Sequence, residues 1–354
     1  MKRLQAAVLG ATGIIGQRFV QLLEDHPYFQ VCGLYASERS EGKKLGDVVK
    51  LKDHAFGGDT RDRVIEQIDA GRIADCCQLA FSGLPSDVAK GYESALAEAG
   101  VPVYSNAASH RMRPDVPILV PEVNADHLRV IEGQKTRERG GYIVTNPNCS
   151  AAGLAIPLKA IHDAYGLETV VVTTYQAVSG AGYPGVPSLD ILGNVIPFIR
   201  NEEEKMEEET LKMLGRVREG SILPASFRIA ASCARVPVAD GHLESVTMTL
   251  RKQPTLEELR STLAEFEAEP QQLSLPTAPY RPIIVRPEDN RPQPLMDANA
   301  GEPARARGMT VTVGRLRKSG DFYKMYVLSH NTIRGGAGGS VENAELAVAM
   351  GVLK

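Results

Sequence analysis

The chain opens on a short apolar run, Leu4 to Leu9, followed by Gly10, Gly13 and Gly16 and then by Phe19, Val20, Leu22 and Leu23 at helical spacing until Pro27. That order predicts a buried strand, a glycine turn and an amphipathic helix. A second strand is expected over Gln30 to Tyr35, and others at Leu79–Phe81, Val101–Ser105 and Tyr142–Thr145, with a helix over Ser86 to Ala99. Strands alternating with helices predict a doubly wound parallel sheet. The pattern changes after residue 148. A helix-compatible run, Ala151 to Ile161 with Pro157 inside it, leads to a strand over Glu168 to Ala177. The stretches "SVTMTLRK", "TVTVGRLRK" and "FYKMYVLSH" read as further strands with fewer helices between them. An antiparallel sheet, hence an α+β second domain, is the expectation there.

Composition adds limits. At 354 residues two domains are expected, and 43% hydrophobic with 23% charged residues is ordinary for a globular protein. A net charge of −3 without a basic patch argues against a nucleic-acid partner. No apolar run approaches the roughly 18 residues of a membrane span, so none is expected. The opening "MKRLQAAVLGATG" is broken by glycines and reads as a first strand, not a signal peptide. Cys32, Cys76, Cys77, Cys149 and Cys233 show no metal-site or disulfide spacing. A reducing cytoplasm fits that set.

The glycine turn is the first candidate for chemistry. A strand, a turn and a helix N-terminus together cradle a pyrophosphate, although G-x-x-G-x-x-G departs from the common G-x-G-x-x-G spacing. A Rossmann-type dinucleotide domain is therefore expected, with Gly10, Thr12, Gly13, Ile14 and Ile15 at the phosphates. Past the second strand, Glu38 could hold a ribose hydroxyl, but Ser37, Arg39, Ser40 and Lys43 suit a 2′-phosphate better. NADP(H) is thus favoured over NAD. "FSGLPSD", with Ser82 and Gly83, and "SNAASHR" fall beyond the carboxyl ends of strands, where such sheets bind ligands. Arg111 and Arg113 follow the second and could meet an anion.

Cys149 is either a small buried hydrophobe or a nucleophile. Asn146-Pro147-Asn148 is turn chemistry, so Cys149 heads a helix, where the dipole favours a thiolate of lowered pKa. A partner base is needed. Among the histidines His242 stands out, because it follows an Asp-Gly turn and opens a strand. "NEEEKMEEETLKML" reads as a charged helix with a solvated face.

"GATGIIG", "NPNC", "YQAVSGAGYPG", "ARVPVADGH" and "HNTIRGGAGG" occur in an order and spacing that resembles aspartate-semialdehyde dehydrogenase, in particular its archaeal and fungal branch. The resemblance covers essentially the whole chain. It implies NADPH-dependent conversion of L-aspartyl-4-phosphate to L-aspartate-4-semialdehyde, a step toward lysine, methionine, threonine and isoleucine. It implies Cys149 as nucleophile, Gln176 as a residue placing the thioester, and His242 as acid/base. Arg235 would meet the α-carboxylate, Arg111 the phosphate, and Asn148 would line the substrate site. The E-x-x-K pattern falls on Glu202 and Lys205, for the amino group and the phosphate, with Glu203 and Glu204 left as alternatives. Ser179, Gly180 and Asn331 would join the cofactor contacts, Asn331 in a loop returning to the nicotinamide. No metal is implied. The implied division is an NADP-binding domain, 1–148 with 331–354, and a catalytic and dimerisation domain, 149–330. A C-terminal helix, capped and starting from about Ser340, would pack back on the first domain. A cytoplasmic homodimer or homotetramer is expected. Malonyl-CoA reductase is similar to this branch, and N-acetyl-glutamyl-phosphate reductase more distantly so. A non-catalytic NADP-sensing protein is the reading from another class.

Overall fold

The computed structural model describes residues 2–354. A parallel sheet is built from β1 (Leu4–Leu9), β2 (Phe29–Ala36), β3 (Ile65–Gln67), β4 (Leu79–Ser82), β5 (Val103–Ser105) and β6 (Ile143–Thr145). Their spatial order is β3-β2-β1-β4-β5-β6. Helices α1 (Ile14–Leu23), α2 (Ala70–Cys76) and α3 (Ser86–Glu98) connect the strands. β3 has only three residues, of which Ile65 alone is buried, so no hydrophobic pattern announces it.

The order reverses between β1 and β4, which is where a doubly wound sheet opens a crevice for a ligand. Two of the three N-terminal glycines are required by that crevice. Gly10 has φ +75°, and a Cβ there would lie 2.7 Å from the Gly83 carbonyl oxygen. A Cβ at Gly16 would lie 2.1 Å from the Gly10 oxygen, so the helix could not approach the strand.

The second half builds another six-stranded sheet. Its strands are β7 (Leu167–Gln176), β8 (Arg228–Arg235), β9 (His242–Leu250), β10 (Ile283–Arg286), β11 (Val311–Ser319) and β12 (Phe322–Ser329), in the order β8-β7-β9-β12-β11-β10. The expected antiparallel sheet is in fact mixed, because β8 runs parallel to β7 and β10 parallel to β11. Parallel neighbours need a crossover. Between β7 and β8 the chain makes one that contains helix α5 (Glu202–Met213).

The helix expected over Ala151 to Ile161 runs longer, as α4 (Cys149–Tyr165), with Pro157 inside it. Leu154, Ile156, Leu158 and Ile161 pack on Val170, Val172, Val246 and Met248 of the sheet. On β9 every second residue turns inward, from His242 and Glu244 to Val246, Met248 and Leu250. The polar pair at its start lies toward the N-terminal end of α4.

The C-terminal helix α6 (Gly338–Ala349) does join the first core, through Val341, Ala344, Leu346 and Ala347 beside Leu4, Val8 and Phe19. Two details differ from expectation. It starts before Ser340, which lies inside the helix and accepts from Asn106 Nδ2 at 3.0 Å instead of capping. It is also buried on more than one face, because its acids are paired: Glu342 with Arg334 at 2.7 Å and Glu345 with His26 at 2.8 Å.

The cysteine expectation is overturned. Cys32 on β2 and Cys77 after α2 form a disulfide across 45 residues, with the Cys76 sulfur 3.5 Å from that of Cys77. Their spacing carried no signal because β1 and the start of β4 bring them together only in space. The cysteine set therefore no longer argues for a reducing compartment. Among the described residues no helix is long and apolar enough to cross a membrane. Thiol titration of the denatured protein should find three free groups without reductant and five with it. Cys32→Ser should lower stability by about 4 kcal/mol, the loop-closure value for such a span, read as a fall in Tm. Five free thiols without reductant would contradict the bridge.

Candidate active site

Between the two sheets lies a cavity of about 900 Å³. The glycine turn (Gly10, Thr12, Gly13, Ile14, Ile15) forms one wall, with Ser37 and Gly83 beside it. Asn148, Cys149, Ser179, Gly180, Arg235 and Asn331 form the facing wall, with Glu202, Lys205 and Arg111 further along it.

Asn148 is the cap of α4. Its Oδ1 accepts from the main-chain N–H of Ser150 at 2.9 Å and of Ala151 at 3.2 Å. Cys149 thus stands at the first helical position, and its Sγ is 3.2 Å from His242 Nε2. The other ring nitrogen, Nδ1, accepts from Ala177 N–H at 3.0 Å. That contact fixes the neutral imidazole with its proton on Nε2, so His242 offers a donor to the sulfur. Burial, then the charge of Arg235 and of His330, pushes His242 down to about 3, which keeps it neutral. Gly180 must be glycine here. A Cβ would stand 2.8 Å from Arg235 Nη1 and 3.0 Å from His242 Cε1.

The expected lowered pKa of Cys149 is reversed. Burial, with the Glu202 carboxylate second, pushes the thiol up to about 12, against the pull of Arg235 and Arg111. Desolvation of the charged form outweighs the helix terminus here, although Cys149 keeps part of its surface on the cavity.

Helix phase separates the three glutamates. Glu202 faces the cavity, where Oε1 accepts from Asn148 Nδ2 at 2.8 Å and Gln176 Nε2 at 3.0 Å, and Oε2 lies 3.9 Å from Lys205 Nζ. Glu203 turns to the Cys233 N–H at 2.9 Å, and Glu204 is exposed. Gln176 is buried behind Glu202, one layer from the cavity. Arg235 donates from Nη1 to the Ala177 carbonyl at 2.9 Å, which leaves its other nitrogens for a carboxylate. Arg111 and Arg113 part company. Arg111 is buried at the cavity, while Arg113 is paired outside with Asp115 at 2.6 Å.

The solvated-face reading of α5 is corrected. Glu202, Glu209 and Lys212 are all buried. Glu209 accepts from Arg111 Nη1 at 2.9 Å and from Asn148 N–H at 2.6 Å. Lys212 donates to the carbonyls of Arg111, Arg113 and Val116 at 2.5–2.8 Å, and burial brings it down to about 8. Sequence reading missed both residues. Their signal was present, because Glu209 lies seven residues after Glu202, two helical turns on the same face.

Of the expected cofactor contacts, Ser82 is fully buried behind the wall and Gly83 takes its place there. Arg39 and Ser40 lie on the short turn Glu38–Ser40 just past Ser37, outside the cavity lining. Asn331 spans two loops, donating to Ser179 Oγ at 2.8 Å and accepting from Gly241 N–H at 2.9 Å. Three Sγ atoms, of Cys32, Cys76 and Cys77, lie close together outside the lining of this cavity, two of them bonded to each other.

Two family profiles match the chain: a semialdehyde dehydrogenase NAD binding domain over residues 5–131, and a semialdehyde dehydrogenase dimerisation domain over 158–334. The chain is 49% identical to an aspartate-semialdehyde dehydrogenase of Methanothermobacter thermautotrophicus over 97% of this chain and 98% of the relative. It is 42% identical to that of Aspergillus fumigatus over 99% and 98%. Among solved structures, aspartate-semialdehyde dehydrogenase with NADP from Candida albicans superposes with a TM-score of 0.90 at 38% identity, covering 99% of both chains.

A thiol this strongly desolvated should be alkylated by iodoacetamide at a rate that climbs with pH and does not level off by pH 8, followed as mass added at Cys149. A plateau beginning below neutrality would mean that the helix terminus and cations win after all.

Proposed function

The chain belongs to the aspartate-semialdehyde dehydrogenase family, and from that premise we propose the route by which it reduces L-aspartyl-4-phosphate to L-aspartate-4-semialdehyde and phosphate with NADPH. The enzyme is an oxidoreductase of amino-acid biosynthesis, on the way to lysine, methionine, threonine and isoleucine. The observation that carries the route is the 3.2 Å contact between Cys149 Sγ and His242 Nε2 inside a cavity lined by Arg235, Glu202 and Lys205.

The dinucleotide fits the residues present, since the Gly10–Gly83 approach leaves room only for backbone and a ligand, at the N-terminus of α1. Gly10, Thr12 and Gly13 would hold the pyrophosphate, and Ser37, with Arg39 and Ser40 on the adjoining turn, the 2′-phosphate. Ile14, Ile15 and Gly83 would flank it, and Ser179, Gly180 and Asn331 would border the nicotinamide. When bound, the cofactor supplies a hydride.

Every other part falls to side chains. Arg235 takes the substrate α-carboxylate in two-point fashion, Glu202 its ammonium, and Lys205 with Arg111 its phosphate. The Cys149 sulfur attacks the acyl carbon as the C–O bond to phosphate breaks; the thiol proton leaves with the phosphate as hydrogen phosphate, which the two cations stabilise. The thioester left on Cys149 is lined up by Gln176 acting through Glu202 and Asn148. His242 Nε2–H would donate a hydrogen bond to the oxyanion of the tetrahedral adduct, and breaking its C–S bond would release the aldehyde and return the sulfur of Cys149 as thiolate.

The same reading divides the chain into an NADP-binding unit, 1–148 with 331–354, and a catalytic and dimerisation unit, 149–330, working in the cytoplasm as a homodimer or homotetramer. Malonyl-CoA has no amino group to occupy Glu202, whose carboxylate is already aimed by Asn148 and Gln176.

NADP reduction with phosphate and L-aspartate-4-semialdehyde should be phosphate-dependent and lost in Cys149→Ala. Turnover only with malonyl-CoA and NADPH would overturn the substrate, and no turnover with either would favour a sensing protein. Arg235→Lys should raise the KM for the semialdehyde about a hundredfold and leave that for NADP unchanged, since a two-point contact becomes a single one. An unchanged semialdehyde KM would remove Arg235 from the carboxylate.

A further inference from the structure

The loop that carries Arg111 is gripped from two sides. Glu209 and Lys212 hold it from α5. The opposite side rests on a buried polar cluster that the reaction route does not use: Glu93 of α3, Ser82 at the end of β4, Ser105 at the end of β5, and His110 beside Arg111 itself. Glu93, Ser82 and Ser105 are 0% exposed and His110 2%.

The Glu93 carboxyl reaches the loop through one hydroxyl. Ser105 Oγ donates to Glu93 Oε1 at 2.7 Å and accepts from the Ala107 N–H at 3.0 Å. The next residue back, Asn106, offers its carbonyl to Arg111 Nη2 at 2.7 Å. The other carboxyl oxygen, Oε2, lies 3.6 Å from His110 Nε2. Neither atom has a hydrogen-bond partner, and Ser82 Oγ lacks one as well. A buried acid facing a buried imidazole at this distance cannot leave both groups charged and unpaired without large cost.

We propose that the buried Glu93–His110 pair positions the Arg111 loop, so that the grip of that loop on the substrate phosphate follows the protonation of Glu93. The proposal rests on Arg111 being the phosphate residue. Glu93 touches no substrate and acts through Ser105 and Ala107 as a positioning residue.

The sign follows from the surroundings. Burial pushes Glu93 up to about 7, with Ser82, Ser105 and Arg111 opposing. His110 is held below its usual range by burial and then by Arg113 and Lys90, with Asp115 opposing. At pH 6 the carboxyl is largely protonated, so the charge of Arg111 is offset by Glu209 and not also by Glu93. Above neutrality the carboxylate sits behind Arg111 as a buried negative charge and weakens its hold on phosphate.

The test is the KM for phosphate in the oxidative direction from pH 6 to 8.5, in wild type and in Glu93→Gln, which is neutral at every pH. The wild-type to variant ratio of KM should rise about fivefold across that range, while the KM for NADP keeps a constant ratio. Taking the ratio removes the ionisation of phosphate itself. A ratio that does not change with pH overturns the proposal.

Two companion variants separate the possible failures. Ser105→Ala cuts the link to Ala107 without changing charge. It should raise the phosphate KM at all pH values and move the pH-dependent rise to higher pH, since Ser105 holds Glu93 down, and it serves if Glu93→Gln does not fold; an unchanged KM there would exclude positioning through Ser105. Arg111→Lys should raise the phosphate KM. If it does not, the assignment of Arg111 is wrong, whereas a raised KM with a flat Glu93→Gln ratio refutes the Glu93–His110 pair alone.

Discussion

Asn148 uses every polar group it has. Its main-chain N–H goes to Glu209, its Nδ2 to Glu202, its Oδ1 to two N–H groups at the head of α4, and its carbonyl accepts from Ala152 at 2.9 Å. One residue therefore locks the helix headed by Cys149 to the helix that carries Glu202. Cys149 follows directly, so its position is set by that lock and not by contacts of the sulfur. Much of the cavity is arranged around this residue. Glu209 ties it to Arg111, and Glu202 ties it to Gln176 and faces Lys205.

Electrostatics in so enclosed a space is decided by desolvation before anything else. The thiol and the imidazole face each other as neutral groups, each pushed away from its charged form. The hydrogen bond from Ala177 N–H then chooses the tautomer and gives His242 a donor role toward sulfur and oxyanion. A helix N-terminus supplies only part of what a thiolate needs, and substrate cations and donors must supply the rest.

The two halves are joined by the segment after β12. Gly335 lies against Cys149, where a Cβ would stand 2.6 Å from the Cys149 carbonyl oxygen. Arg334 is buried between Glu122 and Glu342, at 2.6 and 2.7 Å, and fastens the same segment to the first core. A displacement of α6 would therefore be felt at Cys149, which gives the C-terminal helix a part in the cavity wall that its distance along the chain conceals.

The sequence alone determined the elements whose signal is local. The strand–glycine–helix unit at the start was legible because Gly10 turns the chain at positive φ and Gly16 is dictated by backbone approach within it. The helix head at Cys149 was legible from Asn-Pro-Asn turn chemistry, and the motif set carried the family. Tertiary structure decided whatever depends on residues distant in the chain. It made the second sheet mixed, because strand direction is set by crossovers and not by alternation. It joined Cys32 to Cys77, buried Glu209 and Lys212 in a helix that composition shows as solvated, and chose Glu202 from three adjacent glutamates. It also reversed the charge preference of Cys149. A hydrophobic pattern states which residues seek the interior, but the cost of a charge depends on what else is already there.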